Sequence, residues 1–456
     1  MEQAVSAENK MGTMPEGKLI LNMSLPMMVA MLVQAMYNIV DSIFVARLSE
    51  NALTAVSLAF SLQTLCIAIG AGTGVGVNAL VSRALGEKDQ KKVNVTATNG
   101  VFVFLLSYIF VAILGFTAVR PFYAFQINPG QEEIMELGIQ YLTIVMVGSF
   151  GIFGQFIFER LLQSTGRTFL TMVSQTTGAI INIIFDPILI FGYFGFPKLG
   201  IKGAAIATIM GQIVAAIIAY IWNVTKNPDI QLEFKGFRPN GRIIKEIYEI
   251  GVPSIIMQSI GSVMTAGMNR ILMEINSTGT AVFGVYFKLQ SFFFMPVFGL
   301  NNGIIPIISY NYGAQKKKRM LNTLKYGYLI AFILTAVGFV GFMTMPDKLL
   351  LLFDASDQML EIGVPALRTI AFHYLIAWYC IVTGSLFQAL GKAMYSLYVS
   401  VARQLVVLLP AAYILAKIGG LQLIWWSFPI AEVMSCIIST TCLVLVYKRI
   451  ISKIPA

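Results

Sequence analysis

The chain has 456 residues, of which 57% are hydrophobic and 12% charged, and its mean hydropathy is +0.76. This composition excludes an ordinary soluble domain. A formal net charge of +10 would favour an acidic partner such as nucleic acid in a soluble protein, so the positions of the basic residues must decide. The four cysteines show no CxxC spacing, which argues against a structural metal site or a disulfide framework.

Apolar stretches long enough to cross a bilayer recur along the whole chain, since a spanning helix needs roughly 20 residues. About twelve can be counted. They lie near residues 19–46, 53–81, 95–119, 136–158, 168–194, 202–222, 248–272, 279–309, 322–345, 363–387, 393–416 and 420–446. The sequence therefore predicts an all-α membrane protein with twelve transmembrane helices.

The basic residues are distributed unevenly between the two sets of connecting segments. If the N-terminus is cytoplasmic, 21 Lys and Arg residues fall in cytoplasmic segments and 7 in the opposite loops. This bias predicts that both termini are cytoplasmic and that the charge reflects membrane topology, with no nucleic-acid partner. We expect a multi-pass protein of the cytoplasmic membrane.

The two halves of the chain resemble each other. A shift of 227 positions lays SLPMM with Pro26 on GVPSI with Pro253, and GTGVGVNALVSRALGEKDQKK on GLNNGIIPIISYNYGAQKKKR. This repeat predicts two pseudo-symmetric six-helix bundles. The predicted parts are a cytoplasmic tail 1–17, an N-lobe 18–222 with helices 1–6, a cytoplasmic inter-lobe loop 223–246, a C-lobe 247–450 with helices 7–12, and a C-terminal tail 451–456.

Two acids inside predicted spans belong to the first half alone. Asp41 aligns with Met268, and Asp186, in NIIFDPILIFG, aligns with Leu409, although the proline that follows Asp186 is repeated. An acid in a span costs about 2.5–3.5 kcal/mol on insertion scales. Two acids confined to one half therefore predict a functional site in the first bundle.

Polar neighbours accompany both acids at helical spacing. Asn182 lies four residues before Asp186 and Tyr37 four before Asp41, so each pair shares a helix face. Thr208 follows small residues that allow close helix approach. If these helices face one another, their oxygens suit a proton or a small hard cation such as Na⁺.

Structural roles remain open for both acids. Asp186 can accept backbone N–H groups that the break at Pro187 frees. Asp41 can be an acid near the membrane interface, a few residues before Arg47.

Other charged residues, the histidine and three methionines inside spans each have two interpretations. An interior ion pair that sets bundle packing, or a gate, is predicted for Lys288, Arg403 and Glu432. His373, the only histidine, is a candidate substrate ligand or a bundle-facing hydrogen-bonding residue. One face of the seventh span carries Met257, Met264 and Met268, which suit either a promiscuous drug cavity between the halves or core packing.

Several motifs resemble the multidrug and toxin extrusion (MATE) transporters over roughly residues 18–450. They are SLPMM, YNIVDSIFVARL, VSRALGEKD, LNNGIIPIISYNYGA and NIIFDPILIFGYFG, the last of which looks most like the MepA-type branch. The resemblance implies antiport, in which a cationic amphipathic compound leaves the cell as protons or sodium ions enter, through rocking of the two bundles. It also implies a cation-binding network in the N-terminal bundle, matched here by Asp41, Tyr37, Asn182, Asp186 and Thr208. A tyrosine of the fourth span belongs to this network in the family and is matched by Tyr141.

A C-lobe cation site of another branch is not matched. That branch carries a Glu in the seventh span and an Asp in the tenth, where this chain has only Glu249 at the cytoplasmic edge and His373. We expect H⁺ or Na⁺ as coupling ion, no other cofactor or metal, and a monomer. A flippase for a lipid-linked saccharide is the alternative, which would favour several basic residues in the cavity. An intramembrane enzyme ranks last, since no nucleophile with a base and no metal motif is found.

Overall fold

The protein is almost wholly helical. A computed structural model describes residues 8–127, 130–353 and 355–455, so residues 1–7 of the predicted N-terminal tail and residue 456 lie outside the described residues. The helices are α1 Lys10–Thr13, α2 Glu16–Leu48, α3 Glu50–Gly86, α4 Gln90–Thr117, α5 Val119–Gln126, α6 Glu132–Val147, α7 Phe150–Ser164, α8 Thr168–Phe191, α9 Ile201–Thr225, α10 Gly241–Ile275, α11 Ser277–Gly313, α12 Lys317–Thr344, α13 Pro346–Leu351, α14 Asp357–Ala371, α15 Tyr374–Ala389, α16 Ala393–Val401, α17 Leu409–Ile424 and α18 Ser427–Arg449. A π-helical segment, Ala402–Leu408, joins α16 to α17.

Among the described residues, ten helices are long and apolar enough to cross a membrane, and the number rises to twelve if each of two bent helix pairs counts as one span. The predicted all-α membrane fold is therefore confirmed. The fourth and tenth spans, predicted as continuous, are each broken. The pair α6 and α7 bends by 41° at Gly148 and Ser149, and the pair α14 and α15 bends by 51° at Phe372 and His373. These breaks are 224 residues apart, so the internal repeat extends to the bends.

The chain packs as two units that do not coincide with the predicted lobes. The N-terminal unit comprises residues 29–251, and the C-terminal unit comprises residues 1–28 and 252–456. Each boundary falls within about three residues of a proline inside a helix, Pro26 in α2 and Pro253 in α10. Residues 18–28 thus pack with the second half and residues 247–251 with the first, because α2 and α10 each continue through the boundary.

Side-chain hydrogen bonds hold the exchanged segments in place. In the C-terminal unit, Asn311 Nδ2 donates to the Met11 carbonyl at 3.0 Å and Ser24 Oγ donates to the Leu300 carbonyl at 3.2 Å. The predicted inter-lobe loop 223–246 shortens to residues 226–240, because α9 runs to Thr225 and α10 begins at Gly241. This loop is packed on α4 of the N-terminal unit, where the Asn240 backbone N–H donates to Asn99 Oδ1 at 2.9 Å.

The two units have different interiors. Aromatic rings fill the core of the C-terminal unit, where Tyr286 lies 5.4 Å from Phe428 and 6.1 Å from Phe342, between ring centroids. In the N-terminal unit, α8 and α9 pack through small residues, and a Cβ added to Gly178 would lie 2.7 Å from the Gly211 carbonyl oxygen. Close backbone contact of this kind needs glycine on both helices.

Candidate functional site

The polar residues of α2, α8 and α9 meet around a cavity inside the N-terminal unit. Its volume is about 50 Å³, which leaves room for a few water molecules, since one water needs about 10–15 Å³ of such space. Its polar lining consists of Gln34, Tyr37, Gln155, Gln175, Asn182, Thr208 and Gln212. Three residues predicted from the sequence, Tyr37, Asn182 and Thr208, therefore border one cavity.

Asn182 connects a hydroxyl group on α9 to a carboxylate on its own helix. With its amide oriented to satisfy both neighbours, its nitrogen donates to Asp186 Oδ2 at 3.2 Å and its oxygen accepts from the Thr208 backbone N–H at 3.1 Å. The amide and the Thr208 hydroxyl are 3.3 Å apart. Asn182 is 2% exposed and Asp186 is fully buried. The close approach of α8 and α9 at Gly178 and Gly211 makes this bridge possible.

The two predicted acids contact each other. The Asp41 and Asp186 carboxyl groups lie close enough to hydrogen-bond to one another, which would require a shared proton because two carboxylates repel. One oxygen of each, Oδ1, is buried with no hydrogen-bond partner among the described residues. Buried polar atoms are nearly always satisfied by protein, water or an ion. The pair is therefore suited to hold a proton or a small cation.

Two tyrosines complete the surroundings of the pair. Tyr37, one turn before Asp41 on α2, and Tyr141 on α6 both lie within electrostatic range of the two acids. The Tyr141 hydroxyl accepts a hydrogen bond from Gln63 Nε2 at 3.2 Å and is 3% exposed as a residue. All six residues predicted for the cation network thus lie in one cluster of the N-terminal unit.

A second buried acid near the cavity escaped the sequence reasoning. Glu159 on α7 is 5% exposed and accepts hydrogen bonds from Ser174 Oγ at 2.8 Å and from Gln155 Nε2 at 3.0 Å. Its neighbour Arg160, assigned from the sequence to a cytoplasmic connection, lies inside α7 and is 8% exposed. The signal was present as a Glu-Arg pair inside the apolar run FIFERLL, because charges within a span are rare.

The methionine face of α10 packs largely as core, which favours the second of the two interpretations that the sequence left open. Met264 is 8% exposed and Met268 fully buried, and both belong to the hydrophobic core of the C-terminal unit, whereas Met257 is half-buried. The spacing of a core face and of a ligand-lining face is the same, so the sequence pattern does not separate them.

The charged residues of the C-terminal unit divide into two groups. Arg403 and Glu432 are brought together, with Nη1 and Oε1 3.6 Å apart. Lys288 instead is exposed, and its ammonium lies 5.8 Å from the centre of the Phe353 ring, so it takes no part in that ion pair. His373 is 4% exposed and faces Tyr286 and Glu432, which fits the second of its two predicted roles, a bundle-facing residue that hydrogen-bonds a neighbouring helix.

Comparisons with known proteins agree with this arrangement. The sequence profile of the MatE family matches the chain twice, over residues 26–188 and 253–414. The two matches start at the repeated prolines, which confirms the internal repeat. A solved outward-facing structure of a multidrug resistance MATE family transporter of the MOP superfamily has a TM-score of 0.90, at 24% identity over 98% of this chain and 100% of that chain.

Named relatives are similar along nearly their whole length. The multidrug export protein MepA of Staphylococcus haemolyticus is 26% identical over 416 residues, 91% of this chain and 90% of the relative. MepA of Staphylococcus aureus strain MRSA252 is 24% identical over 437 residues, 96% of this chain and 95% of the relative. Members of the matched family are multi-pass membrane transporters and not enzymes. With the profile matched in both halves, the chain belongs to the MatE family of multidrug efflux transporters.

Proposed function

We propose that the protein is an antiporter that exports cationic amphipathic compounds across the cytoplasmic membrane in exchange for H⁺ or Na⁺, by alternating access. The observation that carries this proposal is the contact between Asp41 and Asp186 beside a polar cavity. Two buried acids that share a site are unstable when both are ionised, so the pair gains by binding a cation and is neutralised by it. Coupling needs a site of this kind.

The side chains around the two acids are neutral, which supports reversible binding of a cation over permanent neutralisation of the carboxylates by the protein. Asn182 and Thr208 supply amide and hydroxyl groups, and Tyr37 and Tyr141 supply phenols, none of which carries a positive charge. A carboxylate paired with arginine already has its charge balanced and therefore has less need of a cation from solution. Acids surrounded by neutral donors and acceptors bind a cation and release it again, which an antiporter requires.

The oxygen atoms fit either coupling ion. Carboxylate, hydroxyl and amide oxygens are the ligands that hard cations such as Na⁺ prefer. A proton shared between two carboxyl groups fits the same geometry. We therefore propose one binding place at Asp41 and Asp186 for whichever cation drives transport.

The substrate class follows from the relatives. Both MepA proteins are named multidrug export proteins, and we extend that class to this chain. We further propose that both termini face the cytoplasm, as the distribution of Lys and Arg indicates, and that the monomer is the working unit. Arg403 pairs with Glu432 and Lys288 contacts Phe353, which supports export of cations over flipping of an anionic lipid-linked saccharide.

The test is ethidium transport by the purified protein in liposomes, with the proton and sodium gradients imposed separately. We expect transport against the ethidium gradient with one of the two gradients, and its loss when an ionophore removes that gradient. Equal transport with both gradients absent would contradict the proposal.

A further inference from the structure

The C-terminal unit contains a buried charged cluster that the cation site does not use. His373 and Glu432 are 4% and 3% exposed. His373 Nδ1 lies 3.7 Å from Glu432 Oε2, and its Nε2 lies 3.1 Å from the Tyr286 hydroxyl. Arg403 Nη1 approaches the other carboxylate oxygen, Oε1, at 3.6 Å. One carboxylate thus faces two basic groups.

Neither basic group is fully bonded to this carboxylate. Charge-assisted hydrogen bonds are about 2.7–2.9 Å long, and both separations exceed that by most of an ångström. Glu432 Oε1 has no hydrogen-bond partner among the described residues. The Arg403 side chain is 28% exposed while that of Glu432 is 4% exposed. Arg403 is therefore the more accessible member of the pair, and it can move away from the carboxylate while Glu432 stays buried.

The internal repeat aligns two residues of this cluster with residues of the N-terminal unit. At a shift of 224 residues, IATIM at 206–210 aligns with IAEVM at 430–434, so Glu432 occupies the position of Thr208. The same shift aligns His373, at the bend of the tenth span, with Ser149, at the bend of the fourth. The second half therefore carries a titratable group at each of two positions where the first half has a hydroxyl group.

Buried hydroxyl groups continue from the cluster along one face of α18. Ser435 and Ser439 follow Glu432 at spacings of three and four residues, and both are buried. Apart from the Cys380 thiol beside Ser435, neither hydroxyl has a hydrogen-bond partner among the described residues. The repeat positions in α9 are Gly211 and Ala215. Buried hydroxyl groups without protein partners are groups that a buried water molecule can satisfy.

Arg403 lies in the π-helical segment Ala402–Leu408, which packs against α18. Short π-helical segments are rare in proteins, but those that exist often lie at functional sites, because the extra residue in the turn changes the direction of the side chains. The described repeat partner, α8, is helical without such a segment over Thr168–Phe191. The distortion thus belongs to the half that carries the arginine.

We propose that the C-terminal unit has its own proton-binding site, in which His373 takes up a proton opposite Glu432 and thereby replaces Arg403 as the partner of that carboxylate. The proton is held on Nδ1, between the imidazole and Glu432 Oε2, while Nε2–H donates to the Tyr286 hydroxyl. When the proton leaves, Glu432 and Arg403 form a neutral pair. No bond other than the N–H bond forms or breaks.

The groups that face His373 are consistent with this exchange. The titratable and charged side chains on the packed elements are Tyr286 of α11, Tyr374 and Cys380 of α15, Arg403 of the π-helical segment, and Glu432 of α18. Phe294 stacks on the imidazole with ring planes 16° apart. Of these groups Glu432 is the only acid, so it is the one that stabilises the charged ring.

A direct test is available because His373 is the only histidine of the chain. The full-length protein is expressed in cells fed isotope-labelled histidine, purified with a tag free of histidine and placed in nanodiscs. Its labelled NMR signals then come from His373 alone. We expect both ring nitrogens to change from the neutral to the doubly protonated form as the pH is lowered over the range in which the protein stays folded. A ring that keeps one protonation state over this range overturns the proposal.

Three variants test the competition for the carboxylate. In E432Q the ratio of charged to neutral ring at pH 7 should fall about tenfold or more, because the counter-charge is lost. In R403Q the ratio should rise, because the competing cation is gone. In the control T177V, on α8 of the N-terminal unit, the ratio should not change, because the Thr177 hydroxyl bonds only its own helix. An unchanged ratio in E432Q, or a fall in R403Q, refutes the exchange.

These measurements do not depend on transport, so they fail or succeed separately from the proposed antiport. A second experiment tests whether this site takes part in the transport cycle. Tetraphenylphosphonium serves as a cationic substrate, and a pH dye in weakly buffered nanodiscs measures how many protons are released for each molecule bound. H373Q should release fewer protons than the parent, by up to about one per protein, while D41N keeps the part that belongs to His373. Equal release by H373Q and the parent excludes the site from coupling.

Discussion

The two halves of this transporter place buried acids on helices that do not match in the internal repeat, and they surround these acids differently. In the N-terminal unit, Asp41 and Asp186 contact each other among neutral amides, hydroxyls and phenols. In the C-terminal unit, Glu432 stands between Arg403 and His373. The first arrangement lacks positive charge and must obtain it from solution, whereas the second already contains it. The same scaffold can thus carry an ion-accepting site and a charge-balanced site.

The packing follows the same division. The proposed cation site depends on small residues, because glycine contacts bring α8 and α9 together. The charge-balanced cluster instead lies among aromatic rings, with Phe294, Tyr374 and Phe428 around His373. Changes to the two halves should therefore have different consequences, which are set out from the largest to the smallest.

Removing either acid of the N-terminal pair should have the largest effect. D186N and D41N keep the shape of the side chain but lose the charge that binds the coupling ion. We expect transport of ethidium against its gradient to fall at least about tenfold, equivalent to ~1.4 kcal/mol, with normal membrane insertion. Liposome transport measures it, and D347N, at an exposed acid on α13, is the control. Parent-like transport by either correctly inserted variant would make that acid structural.

Truncating the core face of α10 should reduce stability without changing the drug profile. Met264 packs in the core of the C-terminal unit, so M264A should cost about 2–5 kcal/mol. The half-buried Met257 serves as the comparison, and M257A should cost clearly less. Thermal unfolding followed by size-exclusion chromatography gives the ranking. A changed range of exported compounds with unchanged stability in M264A would restore the substrate-lining interpretation.

Widening the contact between α8 and α9 should damage the cation site through the backbone. In G178A the added methyl meets the Gly211 carbonyl oxygen and the Ala215 Cβ, which should cost about 1–3 kcal/mol and separate Asn182 from Thr208. The control is G241A, because no atom lies within 4 Å of the position of its added Cβ. Both are compared by thermal unfolding and by ethidium transport. Equal behaviour of the two variants would show that the close approach is dispensable.

Removing one neutral ligand should have the smallest effect. T208V deletes the hydroxyl that meets the Asn182 amide, and a lost hydrogen bond of about 0.5–1.5 kcal/mol corresponds to roughly two- to tenfold slower transport. The control is T177V on α8, since the Thr177 hydroxyl donates to the Val173 carbonyl of its own helix. The measurement is the initial rate of ethidium transport in both variants and the parent. A parent-like rate in T208V would remove Thr208 from the proposed site.

The cation cluster was predictable from the sequence because its signals are local or repetitive. Helical spacing linked Asn182 to Asp186 and Tyr37 to Asp41, and the repeat showed that neither acid recurs. Which face of a helix is core depends on neighbours that the sequence does not reveal, and this is why the sequence left both interpretations of Met264 open. The bend at Phe372 and His373 contains neither glycine nor proline, so no local rule indicated it. Glu159 was missed although its position inside an apolar run marked it.

The most direct measurement of the central claim is ethidium binding to the purified protein as a function of H⁺ and Na⁺ concentration. Competition between drug and coupling ion is reciprocal, so a site that binds the ion must weaken drug binding as the ion concentration rises. We predict that the parent protein shows this dependence for one of the two ions and that it is strongly reduced in D41N and D186N. The same dependence in folded D41N and D186N as in the parent would contradict the account.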